Sequence, residues 1–386
     1  MRDLLGESME YIALKNVCRI NMGQSPESNT YNKEGVGIPF FQGNADFGER
    51  YPITRMWCSE PTKIAQSKDI LISVRAPIGA LNYAYDKCCI GRGLAALTPD
   101  ETRVSSEYIY WLLKAKNAEL NSKGTGSTFK AIGRKVLEEI QVPNIDFEKQ
   151  KACAASLEKV NTVIQLRKMQ LQKLDELIKA RFVEMFGDPV SNPKGWSVKP
   201  LLEMGSCKNG MNFHYDDVGV EIHCLGVGDF QNNDLIFDTS TLPVISLNNM
   251  PTEEYLLKDG DIVFVRSNGN KALVGRSVAV YPRNVPTTFS GFCIRYRKND
   301  EALTTPYLLN VLKSDSMRAK MTGRGANIQN LNQQILGSLK IPVPPLSLQN
   351  RFEEFVSQVD KSKAVVQKAL GEAQLLFDSL MHKFFG

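Results

Sequence analysis

Two long stretches of the chain place apolar residues at the spacing of a helix that packs along one narrow face. Residues 147–186 contain no Pro or Gly, and apolar side chains recur there in a 4-3 rhythm. Residues 346–386 repeat that rhythm, with Gly371 as an internal weak point. A 3.5-residue repeat of this length is typical of coiled coils. The predicted seam comprises Leu157, Val160, Ile164, Leu171, Leu174, Ile178, Val356, Val359, Val366, Leu370, Phe377 and Leu380.

The simplest partner for each long helix is the other one. Two helices separated by a globular segment can pair antiparallel, and we expect a rod of roughly 55 Å at ~1.5 Å per residue. A basic residue at a seam position, such as Arg167, could instead contact another subunit.

The remaining segments have the patterns of mixed α and β structure. The strings DILISV, which starts at Asp69, and DIVFV, which starts at Asp261, predict buried strands. The alternation over residues 287–297 predicts one half-exposed strand. Helices are predicted over residues 106–120, with a serine N-cap, and over residues 305–321.

The second half of the chain repeats the first. With a shift of 199 residues, segment 124–187 lies over 323–386 without a gap, and Gln150 lies over Gln349. Upstream, GNADF at residue 43 pairs with GVGDF at 226, and KDILISVR at 68 pairs with GDIVFVR at 260. The smaller shifts there, 183 and 192, are those expected from loop insertions in the second copy.

The patterns together predict a mixed α+β fold with an internal two-fold repeat. Two globular domains, residues 1–146 and 188–345, alternate with helical segments 147–187 and 346–386, which pair as an antiparallel coiled coil. The string MFGDPVSNPKGW at residue 185 joins the first copy to the second, and the final FFG is the same helix end.

Composition and charge narrow the class of protein. Hydrophobic residues make up 42% and charged residues 23% of the chain, as in ordinary globular proteins. No apolar run is long enough to span a bilayer, and the start lacks the pattern of a secretion signal, so we expect a cytoplasmic protein without membrane contact. The net charge of the whole chain is +5, but each globular segment has a net charge of only +1. Any contact with nucleic acid therefore depends on the local placement of Arg and Lys.

The eight cysteines and three histidines do not form a metal-ligand pattern. No C-x-x-C pair is present, and His223-Cys224 is the one adjacent pair, whereas zinc needs four ligands. We expect free thiols in a reducing compartment, with no metal site and no bound cofactor.

Several polar loops are candidates for contact with DNA. The loop GTGSTFK at residue 124 and its counterpart GRGANIQ at 323 could bring backbone N–H groups to phosphate, or simply end a helix. An arginine at a strand end can bind a guanine edge or a phosphate, or form a structural salt bridge. The candidate residues are Gln24, Ser25, Arg75, Thr125, Ser127, Lys130, Asn212, Arg266, Ser267, Asn268, Lys271, Arg324, Asn327 and Gln329.

No catalytic constellation emerges from the sequence. The string GNKALVGRS at residue 269 has five residues between its glycines and Arg where a P-loop has Lys. SNPKGW, at residue 191, is not the Asn-Pro-Pro-aromatic motif of amino-methyltransferases. The basic string RYRK, which starts at Arg295, is typical of a solvated strand edge.

The architecture resembles the specificity subunit of type I restriction-modification systems. Two different globular units alternate with two similar helices, MFGDP…NPKGW marks the joint, and GDIVFVRSN and a G-x-G-x-x loop lead into IPVPPLSLQNRF. The resemblance covers essentially the whole chain. It implies that residues 1–146 and 188–345 are target-recognition domains and that the helices are a spacer.

The resemblance also implies a function and partners. Each domain would read one half of a split, asymmetric site in double-stranded DNA. Two modification subunits would methylate adenine with S-adenosylmethionine, and restriction subunits would translocate and cut DNA with ATP and Mg²⁺, while this chain catalyses nothing. A stand-alone DNA-binding regulator, an enzyme and a coiled-coil adaptor remain alternatives.

Overall fold

The computed structural model describes residues 10–126, 130–213, 216–230, 234–322 and 330–386. The chain divides into two compact units. Unit 1 comprises residues 1–168 and 368–386, and unit 2 comprises residues 169–367. Each unit therefore contains one globular segment and part of each long helix.

Within its described residues, unit 1 contains eleven short strands, three short α-helices, the first part of one long helix and the last part of another. In chain order these are β1 (Tyr11–Ala13), β2 (Cys18–Met22), β3 (Tyr31–Asn32), β4 (Ile38–Phe41), β5 (Trp57–Cys58), β6 (Ile64–Ala65), β7 (Ile70–Ser73), β8 (Leu81–Tyr83), β9 (Cys88–Ile90), β10 (Leu94–Pro99), α1 (Ser106–Ala115), α2 (Asn117–Ser122), α3 (Arg134–Glu138), β11 (Gln141–Pro143) and α4 (Phe147–Phe186).

A four-stranded antiparallel sheet, in the order β2-β10-β7-β8, is the centre of unit 1. Side chains alternate between its faces. Ile70 and Ile72 pack in the core formed with α1, whereas Leu71 packs on the opposite face, against a second sheet of order β3-β5-β4-β9-β6. Both faces are covered, so β7 is buried throughout, as the sequence predicts.

Unit 2 contains the rest of α4 and a second set of elements. These are β12 (Ser197–Pro200), β13 (Gly205–Asn209), β14 (Val220–Leu225), β15 (Leu235–Ile236), β16 (Val244–Leu247), β17 (Asp261–Val265), β18 (Ser277–Val280), β19 (Thr287–Phe289), β20 (Cys293–Lys298), α5 (Thr305–Lys313), α6 (Asp315–Thr322), α7 (Gln333–Gly337), β21 (Lys340–Val343) and the first part of the long helix α8 (Leu346–Phe385), whose last part belongs to unit 1.

The main sheet of unit 2 repeats that of unit 1. Its order is β13-β20-β17-β18-β15, and the strand pairs β13–β20, β20–β17 and β17–β18 are antiparallel. Ile262 and Phe264 point into the core that includes α5, while Val263 and Val265 point to the other side. The prediction of a mixed α+β fold with two similar globular parts is confirmed.

The two long helices pack against each other within each unit. In unit 2, Lys363 donates to Asp175 at 2.5 Å, and the rings of Phe182 and Phe352 lie 5.6 Å apart. Residue numbers thus rise along α4 as they fall along α8, so the pairing there is antiparallel. In unit 1, Leu157 shares a core with Phe377, whose ring lies 5.6 Å from Trp111 on α1.

All twelve predicted seam residues are buried or half-buried. Leu157 and Ile164 are enclosed by unit 1, whereas Ile178, Val356 and Val359 are enclosed by unit 2. The coiled-coil geometry itself stays a prediction, as do the four segment boundaries.

A buried glutamine attaches each long helix to its globular segment. The amide of Gln150 accepts from the Ser105 N–H at 2.9 Å and donates to the Ile145 carbonyl at 2.9 Å. Gln349 accepts from the Thr304 N–H at 2.8 Å and donates to the carbonyls of Ala302 and Pro344, at 2.8 and 2.9 Å. The first turns of α1 and α5 are thereby tied to the first turns of α4 and α8.

The structure corrects three local predictions. The helix expected over 106–120 breaks at Lys116, and that over 305–321 breaks at Ser314. The N-cap of α1 is Ser105, whose hydroxyl accepts from the Tyr108 N–H. The single half-exposed strand expected over 287–297 is instead two buried strands, β19 and β20, which belong to different sheets.

RYRK is not a solvated edge either. It lies in β20, between β13 and β17. Arg295 is only 4% exposed, and its burial lowers the pKa of the guanidinium against the opposing effect of Asp261. Arg297 binds that aspartate through Nε and Nη2, at 2.8 and 2.7 Å. Periodicity did not reveal this pairing because the charged partner lies on another strand.

All eight cysteines are unpaired thiols, as predicted. Burial raises the pKa of Cys18, Cys88, Cys207 and Cys224 to about 12. These thiols are therefore not the deprotonated, reactive form at neutral pH.

Replacing Gln349 by Leu should destabilise the attachment of α8. The substitution leaves the Thr304 N–H and two carbonyls without their partner, which costs about 2–4 kcal/mol. Hydrogen–deuterium exchange of the full chain should show the Thr304 amide losing protection. The control is Gln358→Leu, at an exposed position of the same helix. Equal protection in the two variants would contradict the assigned role.

Candidate nucleic-acid interface

One edge of the main sheet of unit 1 gathers most of the predicted DNA-contacting residues of that unit. Strands β2 and β7 end at this edge and β10 begins there. Gln24 and Ser25 follow β2. The Gln24 N–H donates to the Ile90 carbonyl at 3.0 Å, which holds the backbone beside the turn that precedes β10. The side chain of Gln24 is exposed.

The loop that follows α2 folds onto the same edge. Thr125 and Ala131 exchange backbone hydrogen bonds of 3.0 and 2.9 Å, and Arg75 forms a bridge with Ala131. The Lys130 carbonyl accepts from the Ala76 N–H at 3.0 Å. The side chains of Arg75, Thr125 and Lys130 are exposed, so the fold brings three predicted residues together on an open surface.

Unit 2 presents the corresponding edge. Arg266 and Ser267 follow β17, and Asn330–Leu331 pairs with them: Ser267 forms a bridge with Asn330, and the Leu331 N–H donates to the Arg266 carbonyl at 2.8 Å. Asn212 lies beyond the end of β13 and is exposed. Its side chain lies against Gly291, at the turn before β20.

Arg266 is held inside this edge rather than extended into solvent. Its side chain is half-buried, and Nη1 donates to the Gly291 carbonyl at 3.2 Å. The side chain of Arg266 thus donates to a backbone carbonyl and does not form, with any described residue, the structural salt bridge that was the alternative from the sequence. Of the five N–H donors of the guanidinium, this bond uses one.

The other predicted residues divide into two groups. Asn268 accepts from the Asn270 N–H at 2.7 Å, a local turn contact that leaves its amide nitrogen available. Ser127, Arg324, Asn327 and Gln329, together with the side chain of Lys271, lie outside the described residues.

A basic cluster supports the edge of unit 2. Arg318 donates through Nη2 to the carbonyls of Ala272 and Val274, at 2.9 and 3.2 Å. Burial lowers the pKa of Arg318, and the positive charge of Arg276 lowers it further against the opposing effect of Asp315.

One arginine at the edge of unit 1 is not among the residues that the sequence predicts. Arg92 is exposed at the turn between β9 and β10, and its N–H lies 3.4 Å from the Ser25 Oγ. It has no motif around it, and the alignment of the two copies does not extend across the turn. Only the strand register places it beside Ser25.

The described part of the chain contains no candidate metal site. No group of three His, Cys, Asp or Glu side chains is arranged there to hold a metal ion. His223 is bound through Nδ1 to the Leu242 carbonyl at 2.9 Å. None of the described helices combines the length and the apolar character that crossing a membrane requires.

The family model for the type I restriction modification DNA specificity domain matches this chain twice, over residues 6–176 and 193–372. Each match contains one globular segment and most of the long helix that follows it.

Specificity subunits of type I restriction enzymes are relatives of the chain. A protein described as the MjaX specificity subunit of Methanocaldococcus jannaschii is 40% identical over 172 residues, 44% of this chain and 40% of that subunit. The StySPI specificity subunit of Salmonella potsdam is 24% identical, over 78% of this chain and 68% of its own length. The first of these alignments thus spans less than half of either protein.

Solved structures share the fold. The type I restriction-modification S subunit from M. genitalium superposes over all of this chain and 98% of its own, with a TM-score of 0.58 and 16% identity. A chain from a structure of type I system assembly and conformational transition gives a TM-score of 0.59 over 98% of this chain and 97% of its own, at 16% identity.

The edges require glycine where β2 and β13 end. A Cβ on Gly210 would lie 2.0 Å from the Ser290 carbonyl oxygen, and one on Gly23 would lie 2.2 Å from that of Gly91. Gly210→Ala should therefore move the turn before β20 and destabilise unit 2 by about 1–3 kcal/mol.

Thermal unfolding of the full chain measures this effect, with Gly228→Ala as the control because a Cβ there meets no atom within 4 Å. If the two variants unfold at the same temperature, the close approach at Gly210 is not a constraint on the edge.

Proposed function

Because the chain belongs to the family of type I restriction modification DNA specificity domains, we propose that it selects the sequence on which a type I complex acts. The observation that carries this proposal is the repeated sheet edge. Each unit exposes polar and basic side chains on the same three strand ends, held by the same backbone hydrogen bonds. The relatives that match the chain are specificity subunits.

The two edges differ in their side chains, so we infer that they read different half-sites. Ser25, after β2 of unit 1, corresponds to Asn212, after β13 of unit 2. Arg75 of unit 1 corresponds to Ser267 of unit 2. Hydroxyl, amide and guanidinium groups have different preferences for base edges. A chain with two such edges would recognise a bipartite, asymmetric sequence. The separation of the two edges would set the spacing between the half-sites, as it does in other proteins with two DNA-contacting units.

The catalytic steps are assigned to partner subunits. We propose that two modification subunits bind S-adenosylmethionine and methylate adenine, and that restriction subunits use ATP and Mg²⁺. This chain would bind no cofactor and would supply recognition alone. Each globular segment has a net charge of only +1, so partners would contribute many of the phosphate contacts that supply most of the affinity for DNA.

The long helices are proposed to set the distance between half-sites and to dock the modification subunits. Helices α4 and α8 each comprise 40 residues. The buried glutamines Gln150 and Gln349 fix each helix to its own globular segment. A change in helix length is then transmitted to the reading edges rather than absorbed at a loose joint.

A genome-wide map of methylated adenines tests the function. Deleting the gene should abolish methylation at one split, asymmetric motif, and the wild-type gene should restore it. Replacing residues 188–345 by the corresponding domain of another family member should change one half of the motif and leave the other intact. An unchanged map after deletion, despite active expression of the system beforehand, would contradict the proposal.

Shortening both helices tests the spacing role. Deleting seven residues from α4 between Leu157 and Ile178, and seven from α8 between Val359 and Phe377, preserves the 3.5-residue rhythm. At ~1.5 Å per residue this removes roughly 10 Å, or about three base pairs of spacer at ~3.4 Å each. The methylation map gives the new spacer directly. Methylation at the original spacing would exclude a ruler, and substitutions that keep the helix length serve as the control.

A further inference from the structure

The strand register shows that Arg75 and Arg266, which end two similar strings, are not equivalent. Aligned at Asp69 and Asp261, with a shift of 192, the strings already place Arg266 over Val74. The backbone hydrogen bonds confirm this offset. The Val74 N–H donates to Gly93 and its carbonyl accepts from Ile132, whereas the Arg266 N–H donates to Phe292 and its carbonyl accepts from Leu331.

Arg266 therefore stands at the position of Val74, and the counterpart of Arg75 is Ser267. The isolated bridges agree, because Arg75 pairs with Ala131 while Ser267 pairs with Asn330. Val74 is buried, at 3% exposure, and brings no charge to the edge of unit 1.

The turn before the central strand is the same in both units. The Leu94 N–H donates to the Gly91 carbonyl at 3.0 Å, and the Cys293 N–H donates to the Ser290 carbonyl at 2.8 Å. The strand end before each reading loop also binds this turn: Gly23 donates to Leu94, and Gly210 donates to Cys293. By this register, Arg92 of unit 1 corresponds to Gly291 of unit 2.

Each turn thus has one arginine, supplied from different positions. In unit 1 the side chain of Arg92 starts on the turn itself. In unit 2 the guanidinium of Arg266 reaches the same turn from the neighbouring strand and binds the Gly291 carbonyl at 3.2 Å.

A side chain on the turn of unit 2 would meet the loop residue next to it. A Cβ on Gly291 would lie 2.0 Å from the Asn212 Oδ1, so an arginine at position 291 would displace the Asn212 amide from its place on the turn. In unit 1 the residue at the place of Asn212 is Ser25, whose smaller side chain lies beside the Arg92 backbone, at 3.4 Å from Oγ to N–H.

We propose that Arg92 and Arg266 are equivalent specificity-determining residues, each contacting DNA in the half-site read by its own unit. This proposal rests on the proposed function. The ligand chemistry is a pair of acceptors matched to a guanidinium, either the O6 and N7 of guanine or two phosphate oxygens. The adjacent hydroxyl of Ser25 and amide of Asn212 contribute polar groups at the same place.

The test uses the wild-type chain assembled with its modification subunits, and a duplex carrying the motif found by the methylation map. Arg92→Ala should weaken binding, and Arg266→Ala should do so through the other half-site. Arg19→Ala is the control, because it removes the same charge from an exposed position at the opposite end of the same sheet.

The two ligand sources give different results. A guanine contact predicts a roughly 5- to 150-fold loss of affinity and a relaxed preference at one base pair of one half-site. A phosphate contact predicts a loss that is uniform across sequences and a salt dependence reduced by about one charge. Either result supports direct contact. Arg92→Ala behaving like Arg19→Ala would overturn the inference while leaving the proposed function intact.

A transplant separates contact from a merely structural role. The double variant Asn212→Ser, Arg266→Val removes the arginine of unit 2, and adding Gly291→Arg recreates the arrangement of Ser25, Val74 and Arg92. We expect the triple variant to bind the motif at least 5-fold more tightly than the double. Equal binding by folded double and triple variants would show that an arginine on this turn does not contact DNA. If the wild-type complex methylates no motif, the proposed function itself fails.

Discussion

The structure depends on two buried glutamines that connect each long helix to its globular segment. Gln150 is 2% exposed and Gln349 is fully buried, and each satisfies backbone groups from two separate elements. Because a buried amide must pair all its donors and acceptors, its position is strongly constrained. Each glutamine thereby fixes the point at which a 40-residue helix leaves its globular segment. Packing of apolar side chains alone would define this point less specifically.

The same scaffold supports two different surfaces. Both units use a sheet with four antiparallel strands in the same order, to which unit 2 adds the parallel strand β15, and in both a glycine lets the chain pass close to a turn where three strand ends meet. The side chains on that edge can differ because the hydrogen bonds that build the edge come from the backbone, and because most of these side chains, unlike the half-buried Arg266, are exposed. Duplication with divergence at the edges is a simple route from one reader to two.

The charge of the protein is placed in a manner consistent with this division. Within unit 2, Arg297 is paired with Asp261 inside the sheet, and Arg318 donates to backbone carbonyls of the segment that follows β17. Both arginines thus serve the fold, whereas Arg75 and Arg92 of unit 1 are exposed. The small net charge of each globular segment, +1, hides this distribution.

The sequence by itself determined the repeat, the two long helices and the buried strands, because each of these is encoded by local periodicity or by residues that recur in order. Strand β7, strand β17 and the equivalence of Gln150 and Gln349 could all be predicted in this way. Only the tertiary structure decided which residues share an edge. Arg92 lies beside Ser25 and Arg295 is enclosed, because strand register and cross-strand pairing join residues far apart in the chain.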